Sequence, residues 1–351
     1  MAVKLEKEMY NEARRRGITF RDLLEEIDPT PERNAQGDIV GLDAYQRQLK
    51  AQGIKTSGPN SSLLEKFFAT TSSAILFPHY VETQVLQGMQ AASILPQILA
   101  TTTRINSHTY DAVRMSETAA DRQLRAAAEG AALPTTTLAT TDESIKLKKH
   151  GRLLMATYEA LRLQKLNVVG VFLQRLGAQI GVDESNEALR VIIGGDGNTG
   201  TGITDTDSDV SGTLDYDEMV KLWLAFDSGY ECNTIVAYDT HIQTILNMDE
   251  FKDPMAGFKF QATGQLVNPL GARLVRWADT DGFVDASAND VSDWVIGIDR
   301  RYCLEQVVEQ DVTVEVDRLI DKQFERTAVS KWTGFKKLDP AAAQAIDVTH
   351  A

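Results

Sequence analysis

Between positions 207 and 218, six oxygen-bearing residues stand at the spacing of a calcium loop. In DSDVSGTLDYDE, Asp207, Asp209, Ser211, Thr213, Asp215 and Glu218 fall on loop positions 1, 3, 5, 7, 9 and 12, and Gly212 falls on position 6. Calcium is a hard cation that takes oxygen ligands. Asp207, Asp209, Ser211 and Glu218 would offer side chains, Thr213 its carbonyl, and Asp215 an oxygen directly or through water. An ion held there would order a loop and catalyse nothing. A second reading needs no metal. Thr213 or Asp215 caps the helix that follows, and Asp217 and Glu218 are favoured by the macrodipole in its first turn. That reading accounts for 213–218 but not for Asp205, Asp207 and Asp209, because close carboxylates repel unless they are solvated or neutralised. On the sequence both readings stand.

The surrounding elements limit the first reading. An EF-hand is helix, loop, helix. The stretch upstream, GGDGNTGTGIT, has glycines at 194, 195, 197, 200 and 202 and cannot be an entering helix, whereas MVKLWLAF downstream can be the exiting one. What remains is a half-site. Other chemistry is missing. His79, His108, His150, His241 and His350 form no HxxxH or HExxH pair, and there is neither a GxSxG elbow nor a Walker loop. Cys232 and Cys303 lack metal-ligand spacing and are expected to be buried thiols. No enzymatic activity is expected, and no cofactor other than a structural calcium.

Outward from this loop, the chain alternates between segments that can bury a core and segments that cannot. Residues 1–60 carry ten acidic and ten basic side chains, with Pro29, Pro31, Gly53, Gly58 and Pro59 interrupting any long pattern. They read as an extended arm with short helices at 4–16 and 20–27. From 61 to 100 apolar content rises, and Pro78 sits where a helix could begin, with Val81, Val85 and Met89 at helical spacing. TTTRINSHTYDAVRM and SIKLKKH alternate like strands around a polar, Ala- and Thr-rich centre. A two-stranded ribbon there, with about 15 residues a side, would reach about 50 Å. Such a ribbon is marginal in water and is expected to lie on another subunit.

Residues 156–190 contain no proline, and Leu166, Val169, Leu173, Leu176 and Ile180 step along one helical stripe. A helix over that span would be about 52 Å long. Gly170, Gly177 and Gly181 weaken it by about 1 kcal/mol each, so packing must hold it. Next come MVKLWLAFDSGY as a helix and TIVAYDTHIQTILNM as a strand feeding a helix. Strand-like LVRW, WVIGI, TVEVDRLI and AVSKW follow, then a small tail containing DPAAAQAI.

The totals agree with two or three compact domains, or with one elaborated fold with long extensions. A chain of 351 residues, 43% hydrophobic and 25% charged, can form sizeable cores, and no run of 18 apolar residues exists to span a bilayer. The N-terminus, MAVKLEKEMYNEARRR, lacks the apolar segment of a secretory signal. A net charge of -14 argues against tight binding of free nucleic acid. Between Asp196 and Glu218 there are seven acidic side chains and no basic one.

The order of parts resembles the major capsid proteins of tailed bacteriophages, the family with the Hong Kong 97 type fold. The stretches that carry the resemblance are EGAALPTTTL followed by IKLKKHGRLLMATYEALR, VIIGGDGNTGTGIT, LDYDEMVKLW, TIVAYDTHIQTIL, NPLGARLV, and the ending from DVTVEVDRLID to WTGFKKLDPAAAQAI. They span about residues 120–345. The resemblance implies an α+β fold: an N-terminal arm (1–75), an arm or peripheral-domain helix and strand (76–103) and an extended β-hairpin loop (104–149). After these come a peripheral domain on a long spine helix (150–212), an axial α/β domain (213–305), and a return to the peripheral domain with a tail (306–351).

It further implies subunits that partner themselves as hexamers and pentamers in an icosahedral virion shell, assembled in the host cytoplasm around double-stranded DNA. Scaffold, portal and decoration proteins would be further partners, and no membrane is involved. Some family members lock the shell through a lysine of the extended loop. This chain has no lysine between Lys66 and Lys146, so a shell without that cross-link is expected. A nanocompartment shell of the encapsulin kind is an alternative in the same fold, disfavoured by the N-terminal extension before residue 75. A calcium-binding module is the alternative from another class.

Overall fold

The computed structural model describes residues 5–6, 8–30, 41–114, 129, 139–157, 163–197, 200, 202–227, 229–252, 269–277, 293–319, 321 and 323–349. The helices are α1 (Glu8–Arg16), α2 (Phe20–Ile27), α3 (Ala44–Ala51), α4 (Glu65–Phe68), α5 (Thr71–Ala92), α6 (Leu95–Ile98), α7 (Leu166–Gly194), α8 (Tyr216–Leu224), α9 (Asp239–Asn247) and α10 (Asp249–Lys252). The strands are β1 (Leu99–Arg104), β2 (Thr109–Arg114), β3 (Ala139–Lys146), β4 (Lys148–Thr157), β5 (Thr204–Asp207), β6 (Thr234–Ala237), β7 (Arg273–Arg276), β8 (Trp294–Ile298), β9 (Leu304–Leu319), β10 (Phe324–Lys337) and β11 (Ala343–Asp347). They divide between two units. One comprises Met1–Ala92, Lys149–Gly181 and Asp311–Lys331, and the other Ser93–Lys148, Val182–Gln310 and Trp332–Ala351. Helix and strand mix in both, in agreement with the α+β expectation.

In the first unit the N-terminal residues pack instead of extending. Leu5, Met9, Ala13, Phe20, Leu23, Leu24, Ala44, Tyr45 and Leu49 all lie in its core. Their spacing, obscured by the surrounding charges, is that of short amphipathic helices with the charges on the outer face. Reciprocal caps start two of these helices. Thr19 and Asp22 bond each other's backbone N–H at 3.1 and 3.2 Å, and Asp43 and Gln46 do so at 2.7 and 3.3 Å. Helix α5 begins at Thr71, before Pro78, because Thr70 and Ser73 cap it. Pro78 has no N–H to donate, and the carbonyls of Ile75 and Leu76 just before it accept the hydroxyls of Tyr10 (2.8 Å) and Tyr45 (3.0 Å).

The long helix is shifted relative to expectation. RLLMAT belongs to β4, which runs to Thr157, and the helix spans Leu166–Gly194. Its glycines have a packing reason. A Cβ on Gly177 would lie 2.0 Å from the Val85 carbonyl oxygen, one on Gly88 1.9 Å from that of Gln174, and one on Gly181 2.6 Å from that of Met89. Helices α5 and α7 therefore touch backbone to backbone, which only glycine permits.

In the second unit a five-stranded sheet, ordered β5-β11-β8-β6-β7, is covered on both faces. The alternation of each strand decides which residue goes where. Ile235, Ala237, Val295 and Ile346 join Met219, Leu222 and Ile245 of α8 and α9 on one side. Val236, Trp294, Ile296, Ile298, Ala343 and Ala345 join Leu189, Ile192 and Ile193 of α7 on the other. The segment expected to be a tail is thus the sheet's second strand, β11, parallel to β5 and antiparallel to β8. Small alanines there hid a buried strand from a reading based on bulky apolar residues.

The stem of the expected extended loop belongs to the same unit. Strands β2 and β3 pair antiparallel, with Thr109 opposite Lys146 and Tyr110 opposite Ile145. The expected tip, residues 115–128 and 130–138, lies outside the described residues. Strand β1 pairs in parallel with the start of β9, Thr103 opposite Val307.

Candidate functional site

The acidic run leads from β5, the edge strand, into α8. Gly212, at φ +80°, turns the chain and donates its N–H to the Val348 carbonyl at 2.7 Å. Ser208 donates its hydroxyl to the same carbonyl at 3.0 Å. Asp215 is the N-cap of α8 and accepts the Glu218 N–H at 3.1 Å. Capping therefore falls to Asp215, not Thr213.

Of the six residues with calcium-loop spacing, the structure brings two side chains together, and around an ammonium. Lys221 Nζ lies 2.8 Å from Asp209 Oδ1 and 3.6 Å from Glu218 Oε2, and donates to the Asp207 carbonyl at 2.9 Å. Glu218 Oε1 accepts the Asp209 N–H at 2.6 Å. The hydrogen bond to Asp209 pushes the Lys221 ammonium above its usual range. Asp207 contributes only its carbonyl, Ser211 and Thr213 are exposed, and Asp215 serves the cap. Among the described residues, no three His, Cys, Asp or Glu side chains converge as a metal site. The sequence reading missed Lys221. The signal was its position three residues after Glu218 on one helix face, the spacing of a helical ion pair.

The hairpin stem is tied down by side chains of both kinds. Ile145 and Leu147 are buried, with Gly334 beneath them, where a Cβ would meet Leu147 at 3.4 Å. His108 Nδ1 lies 2.7 Å from Glu309 Oε2, and its ring sits 5.1 Å from that of Trp332. Tyr110 donates to Glu305 at 3.3 Å, and Lys148 pairs with Glu187. Burial, and then the Glu305 charge, push the Tyr110 phenol up.

Asp299 and Lys337 sit deep inside the second unit. Asp299 is fully buried and accepts from Arg301, from the Glu231 and Arg301 N–H groups and from Asn233. Burial alone would raise its carboxyl, but Arg301 and these N–H donors hold it below the usual range. Lys337 is also fully buried and donates to the Ile192 carbonyl in the last turn of α7 at 2.9 Å. Burial lowers its ammonium to about 8. Cys232 and Cys303 are buried, as expected, and burial pushes both thiols up to about 12.

The sequence profile described as the phage capsid family matches residues 74–347. The chain belongs to the phage capsid family. It is accordingly a structural protein of an icosahedral phage shell, placed in the virion capsid. Among solved structures, the capsid of a native GTA particle aligns at 18% identity and a TM-score of 0.53, covering 73% of this chain and 90% of that one. The capsid of the empty GTA particle aligns at 19% identity and 0.53, over 74% and 90%. The mature capsid of bacteriophage PhiM1 aligns at 12% identity and 0.50, over 74% and 88%. At these identities the likeness shows the fold, the Hong Kong 97 type of the capsid proteins. A search of curated proteins returned no match. No helix among the described residues is long and apolar enough to cross a membrane.

Proposed function

We propose that this chain is a tailed-phage major capsid protein that assembles as hexamers and pentamers into a shell around double-stranded DNA. The observation that carries the reading is the phage capsid family match, which spans most of the chain, residues 74–347. Two features support it. The sequence between the paired strands β2 and β3 is polar and rich in Ala and Thr, with little to bury, as suits an element lying on a neighbouring subunit. The acidic balance lets the wall face DNA without gripping it.

The shell is held without a lysine cross-link in the extended loop, because residues 67–145 contain no lysine. Lys221 lies beside Asp209 and Glu218, which supports a 207–218 loop ordered by its own counter-charge. Assembly takes place in the host cytoplasm, with scaffold, portal and decoration proteins as further partners. The test is electron microscopy of the purified chain, with denaturing gels of mature particles. Closed shells that run as single subunits on the gel fit the proposal. A covalent ladder overturns the claim about cross-linking, and monomers alone overturn the claim about shells. Particles filled with an enzyme instead of DNA would make this a nanocompartment.

A further inference from the structure

Two helices of this chain bury one face and leave apolar side chains on the other open to water. In the first half of α7, Val168, Val171 and Phe172 are 55%, 67% and 59% exposed. Their spacing of three and four residues puts them on one side of the helix. Leu166, Leu173 and Leu176 lie on the opposite side, in the core of the first unit. Arg175 continues the exposed side one turn beyond Val171, and Lys165 stands just before the helix. Both are exposed. Among the described residues, the Lys165 ammonium reaches only the Pro59 carbonyl, at 3.5 Å, and the Arg175 guanidinium has no ion-pair partner.

Helix α8 shows the same arrangement in the second unit with the charges inverted. Met219 and Leu222 lie in the core beneath it. On its outer side Asp217, Val220 and Leu224 follow at three and four residues, with Trp223 beside them. Leu224 is 65% exposed and Trp223 47%. Asp227, also exposed, comes three residues after the helix ends. Neither the Asp217 nor the Asp227 carboxylate has a cationic partner among the described residues. The one lysine of α8, Lys221, is occupied by Asp209 and Glu218.

The two faces agree in spacing and differ in sign. Counted from the first charge, each carries apolar residues at three, six and seven and a second charge of the same sign at ten. Ten residues of helix rise about 15 Å, so the cations of one face come level with the carboxylates of the other while the apolar side chains meet between them. An apolar centre holding an aromatic anchor within a charged rim is the anatomy of an interface. Each face repels its own kind, because both of its ends carry one sign. Only the mixed pairing is favoured.

We propose that the exposed face of α7 docks against the exposed face of α8 in a second copy of this chain. The two faces are different surfaces of one subunit, so the contact is head-to-tail. Repeated by rotation, it closes a ring. The inference rests on the reading that copies of this chain build capsomers, and it deepens that reading by naming the helices through which neighbours meet.

The test is a charge swap. Lys165→Glu with Arg175→Glu, and separately Asp217→Lys with Asp227→Lys, should each raise the subunit concentration needed for assembly by about tenfold or more. The variant carrying all four changes should recover to within about threefold of wild type. A merely structural role for these side chains would give no such rescue. Phe172→Ser should weaken assembly by about tenfold as well, with the denaturation midpoint of the subunit nearly unchanged, because the ring is exposed in the lone subunit. If both reversals assemble like wild type, or the combined variant fails to recover, the faces serve another partner or none and the docking proposal is wrong. Should a reversal fail to fold, the neutral variant decides. Lys165→Gln with Arg175→Gln must make assembly less sensitive to salt, and unchanged sensitivity overturns the proposal. Wild type that forms no rings or shells at all would overturn the capsomer reading itself, an outcome separate from any of these.

Discussion

At Asp209 and Glu218 two carboxylates share the ammonium of Lys221. Removing it should cost stability and expose the loop's latent affinity for a cation. Lys221→Met is expected to lose about 1–2 kcal/mol, since Glu218 is left buried without its counter-charge. Millimolar calcium should then raise the thermal midpoint of Lys221→Met and leave wild type unmoved. A calcium shift in wild type would show that the loop takes the metal despite the lysine. Lys337 supports a pH prediction. Its folded ammonium, at about 8, lies below that of an unfolded lysine. Between the two values the unfolded state binds more protons, so stability rises with pH from about 8 to about 10. Denaturant titrations of wild type against Lys337→Met should diverge over that window by at most about 3 kcal/mol, wild type gaining. Parallel curves would mean that burial does not lower the Lys337 ammonium in this way.

At the scale of elements, the crossing of α5 and α7 is set by glycines on both helices. Gly177→Ala should destabilise by about 1–3 kcal/mol, because its methyl would lie 2.0 Å from a backbone oxygen that cannot yield without parting the helices. Gly202→Ala, whose nearest neighbour would be at 3.7 Å, is the control and should fold like wild type in a chemical denaturation series. Equal midpoints for the two would refute the close crossing. The stripe Leu166, Val169, Leu173, Leu176 and Ile180 was legible because helical periodicity needs only apolar residues at regular spacing. The same holds for β6 with α9 and for β8, whose apolar runs announce themselves. Less legible was everything decided by a partner distant in sequence. Residues 8–51 read as an arm, because the surface that buries Phe20, Leu24 and Tyr45 comes from α5. Strand β11 read as a tail, because Ala343 and Ala345 are apolar only in the company of β8. In the loop at 207–218 the spacing of oxygens was legible, but the contact from Lys221 depends on α8 folding back beside β5.

For the molecule as a whole, charge is distributed in a way that a lone subunit does not use. Acid collects on the β5 edge and base follows β3, while the sequence between Lys66 and Lys146 contains no lysine. A shell built from such subunits should respond to ionic strength, because exposed ion pairs between subunits are screened over about 8–10 Å at physiological salt. Particles assembled at low salt are expected to loosen as salt rises toward 1 M, as followed by light scattering. Indifference to salt would place the main contacts on apolar surfaces instead. The most direct measurement is electron microscopy of the purified chain, with and without a calcium chelator. The account predicts rings of five and six subunits or closed shells, tens of nanometres across, unchanged by the chelator. Monomers under every condition, or shells that fall apart when calcium is removed, would contradict it.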